Sequence, residues 1–566
     1  MTALDRSLRT NDLAAPASLG SVAWPVALFL VALLIAAARI GHQPEFDELY
    51  HILAARGWLE TGRFAIADGA YNRAGMFTLL IAGFFRLFGE SVVVARVPSV
   101  LAYAVLVSVF FAWMRRQTTP LAAWLASILL LCSPFIVELA TFIRFYAIQV
   151  TSFVAAVILI QTTLADRPGI RAGAVRLAAA AVLLAVAVYL QVVSLIGILG
   201  LMLWLALELA GPWYLARSRG VRLLLPLTAV ALAAVMLFLL VQGGMAGSML
   251  QRFRSVPEFQ QDTVNQFWFY HFWLVLYYPL LWVVFPFLLL ASLAAFPQMA
   301  RLCGSIFIVG FLLNSFAGSK DTRYLAYAFP FLFAIFGMGI AALWPSLRAW
   351  VSSTLWRVFP PPASSGAKSR CEGLVLVVGL LFVVLANGAT PRFVTMLAGI
   401  RLPPQPPLVN WRAAEPELRP WLDQSDVVVT NDELSALYYL GGYDVLIYPS
   451  RLSELPDKSE FARDPRTGRP VIASAAALRA TFDCFKTGLV VLDRVRLGSA
   501  RPGVAEFLSK ELKPLPLQRN WTVDAYVWDH QPSAADQAFC QSIVRRAPEG
   551  PSSPSGTAET AVPTAP

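Results

Sequence analysis

Charge is scarce in this chain. Only 14% of its 566 residues are charged, where a water-soluble globular protein carries about a quarter. That shortfall, with 57% hydrophobic residues, excludes a large soluble domain as the main body and points to lipid as the solvent. The sequence lacks a Gly-rich phosphate loop, a Cys/His zinc spacing and any nucleic-acid-binding module, which removes P-loop nucleotide chemistry, zinc chemistry and base readout from the candidate functions. Its five cysteines include no C-x-x-C pair, so cysteine makes no case for a metal. The net charge of +10 comes from 45 Lys+Arg against 35 Asp+Glu. These bases lie largely in short loops between apolar runs, where membrane topology places them.

What is present is a series of long apolar runs. The first, Val22 to Ile40, is long enough to cross the roughly 30 Å hydrocarbon core. No A-x-A-like cleavage site and soluble mature domain follow it, so it reads as a retained span rather than a signal peptide. Further runs fall near 91–113, 120–137, 145–165, 176–192, 194–213, 222–241, 272–291, 302–317, 324–344 and 372–390. The expectation is a polytopic α-helical membrane protein with about eleven spans. Ala74 to Phe88 is too short to span and reads as an interfacial helix.

If the spans alternate, the basic groups Arg115-Arg116, Arg167/Arg171/Arg176, Arg217/Arg219/Arg222, Arg301 and Arg348/Arg357/Lys368/Arg370 share one side with Arg6 and Arg9. By the positive-inside rule that side is cytoplasmic. The opposite side collects the unusual polar residues: Glu45, Asp47, Glu48, Tyr50, Arg56, Arg63 and Tyr71-Asn72-Arg73 in the loop 41–90; Glu138 and Arg144-Phe145-Tyr146; Arg252, Arg254, Glu258, Asp262 and His271; and Lys320-Asp321-Thr322-Arg323-Tyr324. An ionisable residue at membrane depth costs about 2.5–3.5 kcal/mol on insertion scales, so a one-sided gathering of acids and bases marks a site. Arg144, Lys320, Arg323 and Arg96 bring more positive charge than Asp321 and Glu138 can offset, which calls for an anionic ligand such as a phosphate.

The domain organisation expected is 1–390 as the transmembrane catalytic domain with the large outer loop 41–90, 391–546 as an extracytoplasmic domain, and 547–566 as a Pro/Ser/Thr-rich disordered tail. Within the second region, β-branched runs at Val427–Thr430, Val445–Tyr448, Val471–Ala473 and Leu489–Asp493 alternate with helical runs ending near Leu440 and Phe482. That pattern predicts a small α/β domain with a partly parallel sheet. Thr430 and Glu433 have the T-x-x-E spacing of a capping box. Cys484 and Cys540 lie alone in this exported region, and a disulfide between them is expected, with Cys132, Cys303 and Cys371 reduced.

The string Phe46-Asp47-Glu48-Leu49-Tyr50 after the first span resembles the acidic first outer loop of GT-C glycosyltransferases, in particular glycosyltransferase family 39, the protein mannosyltransferase and aminoarabinose transferase type. Ala95-Arg96-Val97-Pro98-Ser99 resembles the family's A-R-x-P-S, Arg144-Phe145-Tyr146 its R-x-Y turn, and Lys320 through Tyr324 its K-x-x-R-Y. Asn72-Arg73-Ala74-Gly75 stands where the family often has a His-Pro-Pro-like stretch, which leaves the acceptor class open.

The resemblance implies a GT-C fold and transfer of a sugar from a polyprenyl-phosphate donor to a lipid, glycan or protein at the outer face of the inner membrane, without a cofactor. Such an inverting single displacement needs one carboxylate base and cations for the departing phosphate. The candidate catalytic acids are Asp47 and Glu48; the candidate substrate-binding residues are Arg144, Tyr146, Lys320, Arg323, Tyr324, Tyr71 and Arg73. Several have a structural alternative. The acids suit a helix N-terminus, Arg144 suits an ion pair with Asp47 or Glu138, Lys320 and Arg323 suit lipid-headgroup anchoring and Tyr324 the aromatic belt, and Arg96 suits an anchor. Two adjacent acids are too few to argue for a divalent cation. A transporter or flippase of a lipid-linked substrate is the rival function, although the internal repeat such proteins carry is not visible.

Overall fold

The computed structural model describes residues 19–165, 169–211, 219–242, 247, 267–360, 364–400, 409–494, 502–517, 522–533 and 536–544. Arg6, Arg9, Arg167, Arg217, Arg252, Arg254, Glu258, Asp262 and the tail 547–566 therefore lie outside the described residues. The chain forms two compact units: Met1–Ala55 with Asn72–Pro407, and Arg56–Tyr71 with Leu408–Pro566.

The first unit is helical. Among the described residues five helices are long and apolar enough to cross a membrane: Val92–Gln117, Tyr146–Ala165, Ile170–Leu190, Pro297–Phe316 and the run Thr322–Val358, and a bent pair makes up to six. The pair is Pro120–Leu131 with Pro134–Ala140, turned by 60° where one unbroken run is expected at 120–137. Pro134 opens the second helix there, and Ser133 caps it by accepting from the Ile136 N–H; proline has no N–H to continue the preceding helix. The expected span at 272–291 is likewise cut, into Phe269–Tyr277, Pro279–Val283 and Phe285–Ala295, with Pro279 and Pro286 in the first turns of the second and third pieces. Gly75–Phe88 forms the short helix expected after the outer loop, with Met76, Leu79, Leu80, Leu87 and Phe88 exposed along it. Close helix packing relies on small residues: a Cβ on Gly337 would stand 2.5 Å from the Ala122 carbonyl oxygen.

The second unit is built on a seven-stranded sheet. The strands are β1 (Ala65–Ile66) and β2 (Gly69–Ala70), which form a separate hairpin, then β3 (Val427–Thr430), β4 (Val445–Ile447), β5 (Ala462–Arg463), β6 (Pro470–Ile472), β7 (Thr487–Asp493), β8 (Lys513–Leu515) and β9 (Val523–Asp529). The sheet order is β5-β6-β4-β3-β7-β9-β8. The centre β6-β4-β3-β7 is parallel and the flanking β5, β9 and β8 are antiparallel. Val427–Thr430 is buried throughout, as a parallel strand covered on both faces must be. One face carries Trp411, Ala414, Leu418, Ala436 and Tyr439; the other carries Leu478, Val504, Phe507 and Leu508.

The first helix after β3 begins at Glu433, but its cap is Asp432, whose carboxylate accepts from the Ser435 N–H at 3.1 Å. Thr430 is two residues too early and accepts instead from the Asp432 N–H, so the expected Thr430/Glu433 box is not formed. Cys484 and Cys540 form the expected disulfide, with Cα atoms 5.4 Å apart, and Cys132, Cys303 and Cys371 are free.

Candidate active site

The site lies in the first unit, where three turns meet. Asp47 is in the first turn of the helix Phe46–Thr61, a position that suits an acid because the helix N-terminus is partly positive. Arg144 stands in the turn between Pro134–Ala140 and Tyr146–Ala165, and Arg323 opens the 3-10 helix Thr322–Ala328. One oxygen of Asp47 receives both arginines: Oδ2 lies 2.8 Å from Arg323 Nη1 and 3.0 Å from Arg144 Nη2. Arg323 also donates to Asp321 Oδ2 through Nη2 at 2.5 Å and Nε at 2.8 Å, while its backbone N–H donates to Asp321 Oδ1 at 3.0 Å. Its guanidinium lies 5.5 Å over the ring of buried Tyr146.

Arg144 is buried among aromatic rings, 5.9 Å from the centroids of Tyr50 and Phe145. Arg73, exposed, covers Phe145 at 5.5 Å. Burial penalises the charge on Asp47, but the Arg144 and Arg323 guanidinium groups outweigh it and hold the carboxyl well below the usual carboxylate range.

Glu48 turns the other way. Successive helical residues point about 100° apart, so while Asp47 faces the arginines Glu48 enters the packed interior. There Arg96 Nη2 donates to both its oxygens at 2.9 Å and Nε to Oε1 at 3.1 Å. The Glu45 and Ile143 N–H groups donate at 2.7 and 2.8 Å. Arg96 Nη1 donates in turn to the carbonyls of Ile40 and His42. This buried bracket ties the chain before Asp47 to the residue before Arg144.

Of the residues singled out in the sequence, Asp47, Arg144, Tyr146 and Arg323 converge, and Arg73 adjoins them through Phe145. Lys320 is buried and its Nζ donates to the Ala317 carbonyl. Tyr324 is half-buried in the same turn, its N–H donating to the Asp321 carbonyl at 3.0 Å. Tyr71 belongs to the second unit, where its N–H donates to the Phe64 carbonyl at 2.9 Å. Sequence reasoning gave Asp321 only a share in offsetting the cations, not the hold on Arg323 seen here, and gave no role to Tyr50 and His51, which lie three and four residues beyond Asp47 on one helix and so on its face.

The charge balance corrects one inference. Glu48 offsets Arg96, and Asp47 and Asp321 offset Arg144 and Arg323, so these three arginines do not need an outside anion to be neutral; Lys320, bonded to the Ala317 carbonyl, is the cation this balance leaves over. Among the described residues no group of three or more His, Cys, Asp or Glu side chains converges. The oxygens of Asp47 and Glu48 face different arginines, so a cation there would have to displace guanidinium groups.

No protein-family model and no curated protein matches the sequence. Solved structures do match. ArnT from Cupriavidus metallidurans bound to undecaprenyl phosphate superimposes with a TM-score of 0.57 at 15% identity, covering 90% of this chain and 98% of that one. Its apo state gives the same values. The archaeal oligosaccharyltransferase AglB from Archaeoglobus fulgidus, in complex with an inhibitory peptide and a dolichol-phosphate, matches with a TM-score of 0.53 at 13% identity, over 85% of this chain and 70% of that one. These neighbours are GT-C glycosyltransferases, and the chain has their fold. With its apolar helices it is a multi-pass membrane protein with a C-terminal sheet domain.

Proposed function

We propose that the chain is a membrane glycosyltransferase that moves a sugar from a polyprenyl-phosphate carrier to a hydroxyl or amine on a lipid, glycan or protein. The observation that carries this reading is the single Asp47 oxygen held between Arg144 and Arg323, in a fold shared with ArnT bound to undecaprenyl phosphate. That likeness favours transfer over transport of a lipid-linked substrate. In the reaction, the acceptor oxygen or nitrogen attacks the anomeric carbon as the bond from that carbon to the phosphate oxygen breaks. The electron pair leaves with the carrier phosphate, and the acceptor proton passes to Asp47. Arg144 and Arg323 stabilise the departing phosphate, and guanidinium suits this because its planar fork can grip two oxygens. Lys320 and Arg73 add cations beside it. Glu48, with both oxygens bonded to Arg96, positions Asp47 and Arg144 rather than accepting the proton. We further propose that the site and the second unit face the outside of a bacterial inner membrane, with about eleven spans and a cytoplasmic N-terminus.

The test is binding of undecaprenyl phosphate to folded, detergent-purified variants. Charge-assisted hydrogen bonds contribute about 1.5–3 kcal/mol. Arg144→Ala and Arg323→Ala should therefore each weaken binding by about tenfold or more, and the double variant should lose less than the sum of the two. Arg323→Lys, which keeps charge but not the fork, should fall between. Native affinity in both alanine variants would remove the phosphate clamp and the case for a lipid-phosphate donor.

A further inference from the structure

We propose that the Asp47 carboxylate sits in the subsite of a donor phosphate oxygen, and that the arriving phosphate takes Arg144 and Arg323 from it, releasing Asp47 to act as the base. The inference rests on the lipid-phosphate reading above and adds an order of events to it.

Three observations carry it. The first is the shared oxygen: both guanidinium groups converge on Oδ2, at 2.8 and 3.0 Å. Two arginines from separate turns aimed at one oxygen form an anion subsite, and an internal anion fills it. The second is the charge balance. Asp47 and Asp321 already offset Arg144 and Arg323. A phosphate arriving at those two balanced pairs, beside low-dielectric lipid and with burial on most sides, would compete with the two acids for the same guanidinium donors. One carboxylate must yield.

The third is that only one of them is free to yield. Asp321 holds Arg323 through Nε, Nη2 and the backbone N–H, and as N-cap it starts the 3-10 helix; its departure would undo the turn that carries Arg323. Asp47 contacts the arginines with its side chain alone, and that side chain is 31% exposed. The helix beneath it is fixed by Glu48 and Arg96, so the carboxylate can swing while its backbone stays in place.

The consequence is mechanistic. A carboxylate gripped by two guanidinium groups is a weak proton acceptor. Once the phosphate has taken those groups, the Asp47 affinity for a proton rises, and by reciprocity whatever neutralises Asp47 strengthens phosphate binding. The base thus becomes effective only when the donor is seated. His51, Arg73, Tyr146 and Asp321 remain around the vacated position as the other polar neighbours.

The test reads affinity rather than turnover. Purified full-length protein is titrated with undecaprenyl phosphate and, in parallel, with undecaprenol, which has the chain without the phosphate. Asp47→Asn should bind undecaprenyl phosphate about tenfold or more tightly than the native protein, since the two charge-assisted hydrogen bonds it competes for are each worth that order, and undecaprenol equally. Adding Arg323→Gln should abolish the gain. Should the asparagine variant not fold, Asp47→Ser removes the same charge and carries the same expectation. Native binding with equal or weaker binding by the neutral variants would overturn the displacement and leave the lipid-phosphate donor standing. Equal binding of undecaprenol and undecaprenyl phosphate by native and variant proteins alike would overturn both.

Discussion

His51 lies one helical turn beyond Asp47 and is buried, with Nδ1 2.9 Å from the Thr78 hydroxyl and the rings of Phe77 and Phe145 edge-on to it. Burial, then the charges of Arg144 and Arg73, hold its imidazole well below the usual range despite Asp47 nearby. The sign of the pH effect follows. The unfolded ring takes its proton near pH 6.5, while the folded ring resists until much lower pH. The unfolded state therefore binds more protons in that window, and stability is retained above about 6.5 and lost as pH falls below it. The unfolding free energy, and with it the melting temperature, should be level above about pH 7 and decline toward pH 5, the free energy by at most about 1.4 kcal/mol per pH unit for one proton. His51→Gln, which retains hydrogen bonding to Thr78, should flatten that decline; an unchanged slope in a thermal-denaturation series would assign it to other groups. At this scale the sequence was legible where acids and bases recur in short turns on one side. Asp47, Arg144 and Arg323 were found that way. The division of labour between Asp47 and Glu48 was not, because it depends on which face of the helix meets Arg96, a residue 48 positions away.

Elements defined by their own residues were readable, and elements defined by a partner were not. Val427–Thr430 and the helix Gly75–Phe88 match the sequence reading because an apolar run bounded by polar residues specifies each. β9 escaped although Val523–Asp529 carries the β-formers Val, Tyr and Trp and alternates in burial; what the sequence could not show is its antiparallel pairing with β7 from Thr487↔Asp529 to Asp493↔Val523. The hairpin β1-β2 is a sharper case. It lies far in sequence from the rest of the second unit, yet the Asp68 N–H donates to the Thr467 carbonyl at 3.0 Å and the Ala70 N–H to the Pro465 carbonyl at 3.1 Å. Two glycines permit that docking. A Cβ on Gly69 would stand 2.4 Å from the Arg466 carbonyl carbon, and Gly468, at φ +71°, would place one 2.5 Å from Asp68 Cβ. Gly468→Ala meets both the left-handed backbone and the clash, so it should destabilise the second unit by about 1–3 kcal/mol. Gly69→Ala should do so through the clash alone. Gly442→Ala, with nothing within 4 Å of its Cβ and no positive φ, is the control. Equal unfolding midpoints for all three variants would show that the hairpin is not held as described.

At the scale of the whole molecule, the proposed topology makes a claim about each unit that can be checked separately. In the proposed topology the basic groups keep the N-terminus and residues 364–370 inside. The Cys484–Cys540 disulfide supports an oxidising compartment for the second unit, because such bonds persist outside the reducing cytoplasm. On the proposed topology the turns bearing Asp47, Arg144 and Arg323 lie outside as well, where a donor flipped across the bilayer would be used. Single cysteines can check this in a chain whose free Cys132, Cys303 and Cys371 are replaced by alanine, leaving the disulfide intact. Glu90, Lys458 and Ser364 are exposed, in the loop before Val92–Gln117, in the second unit, and between Phe329–Val358 and Ser365–Leu385. An impermeant maleimide should label Glu90→Cys and Lys458→Cys in intact spheroplasts and Ser364→Cys only after lysis. Labelling of Lys458→Cys only after lysis would put the second unit in the cytoplasm, contradict the disulfide's compartment, and require an odd number of crossings to be added or removed between residues 90 and 458. Labelling of Glu90→Cys only after lysis would reverse the site itself, and the lipid-phosphate donor would then have to be drawn from the inner leaflet.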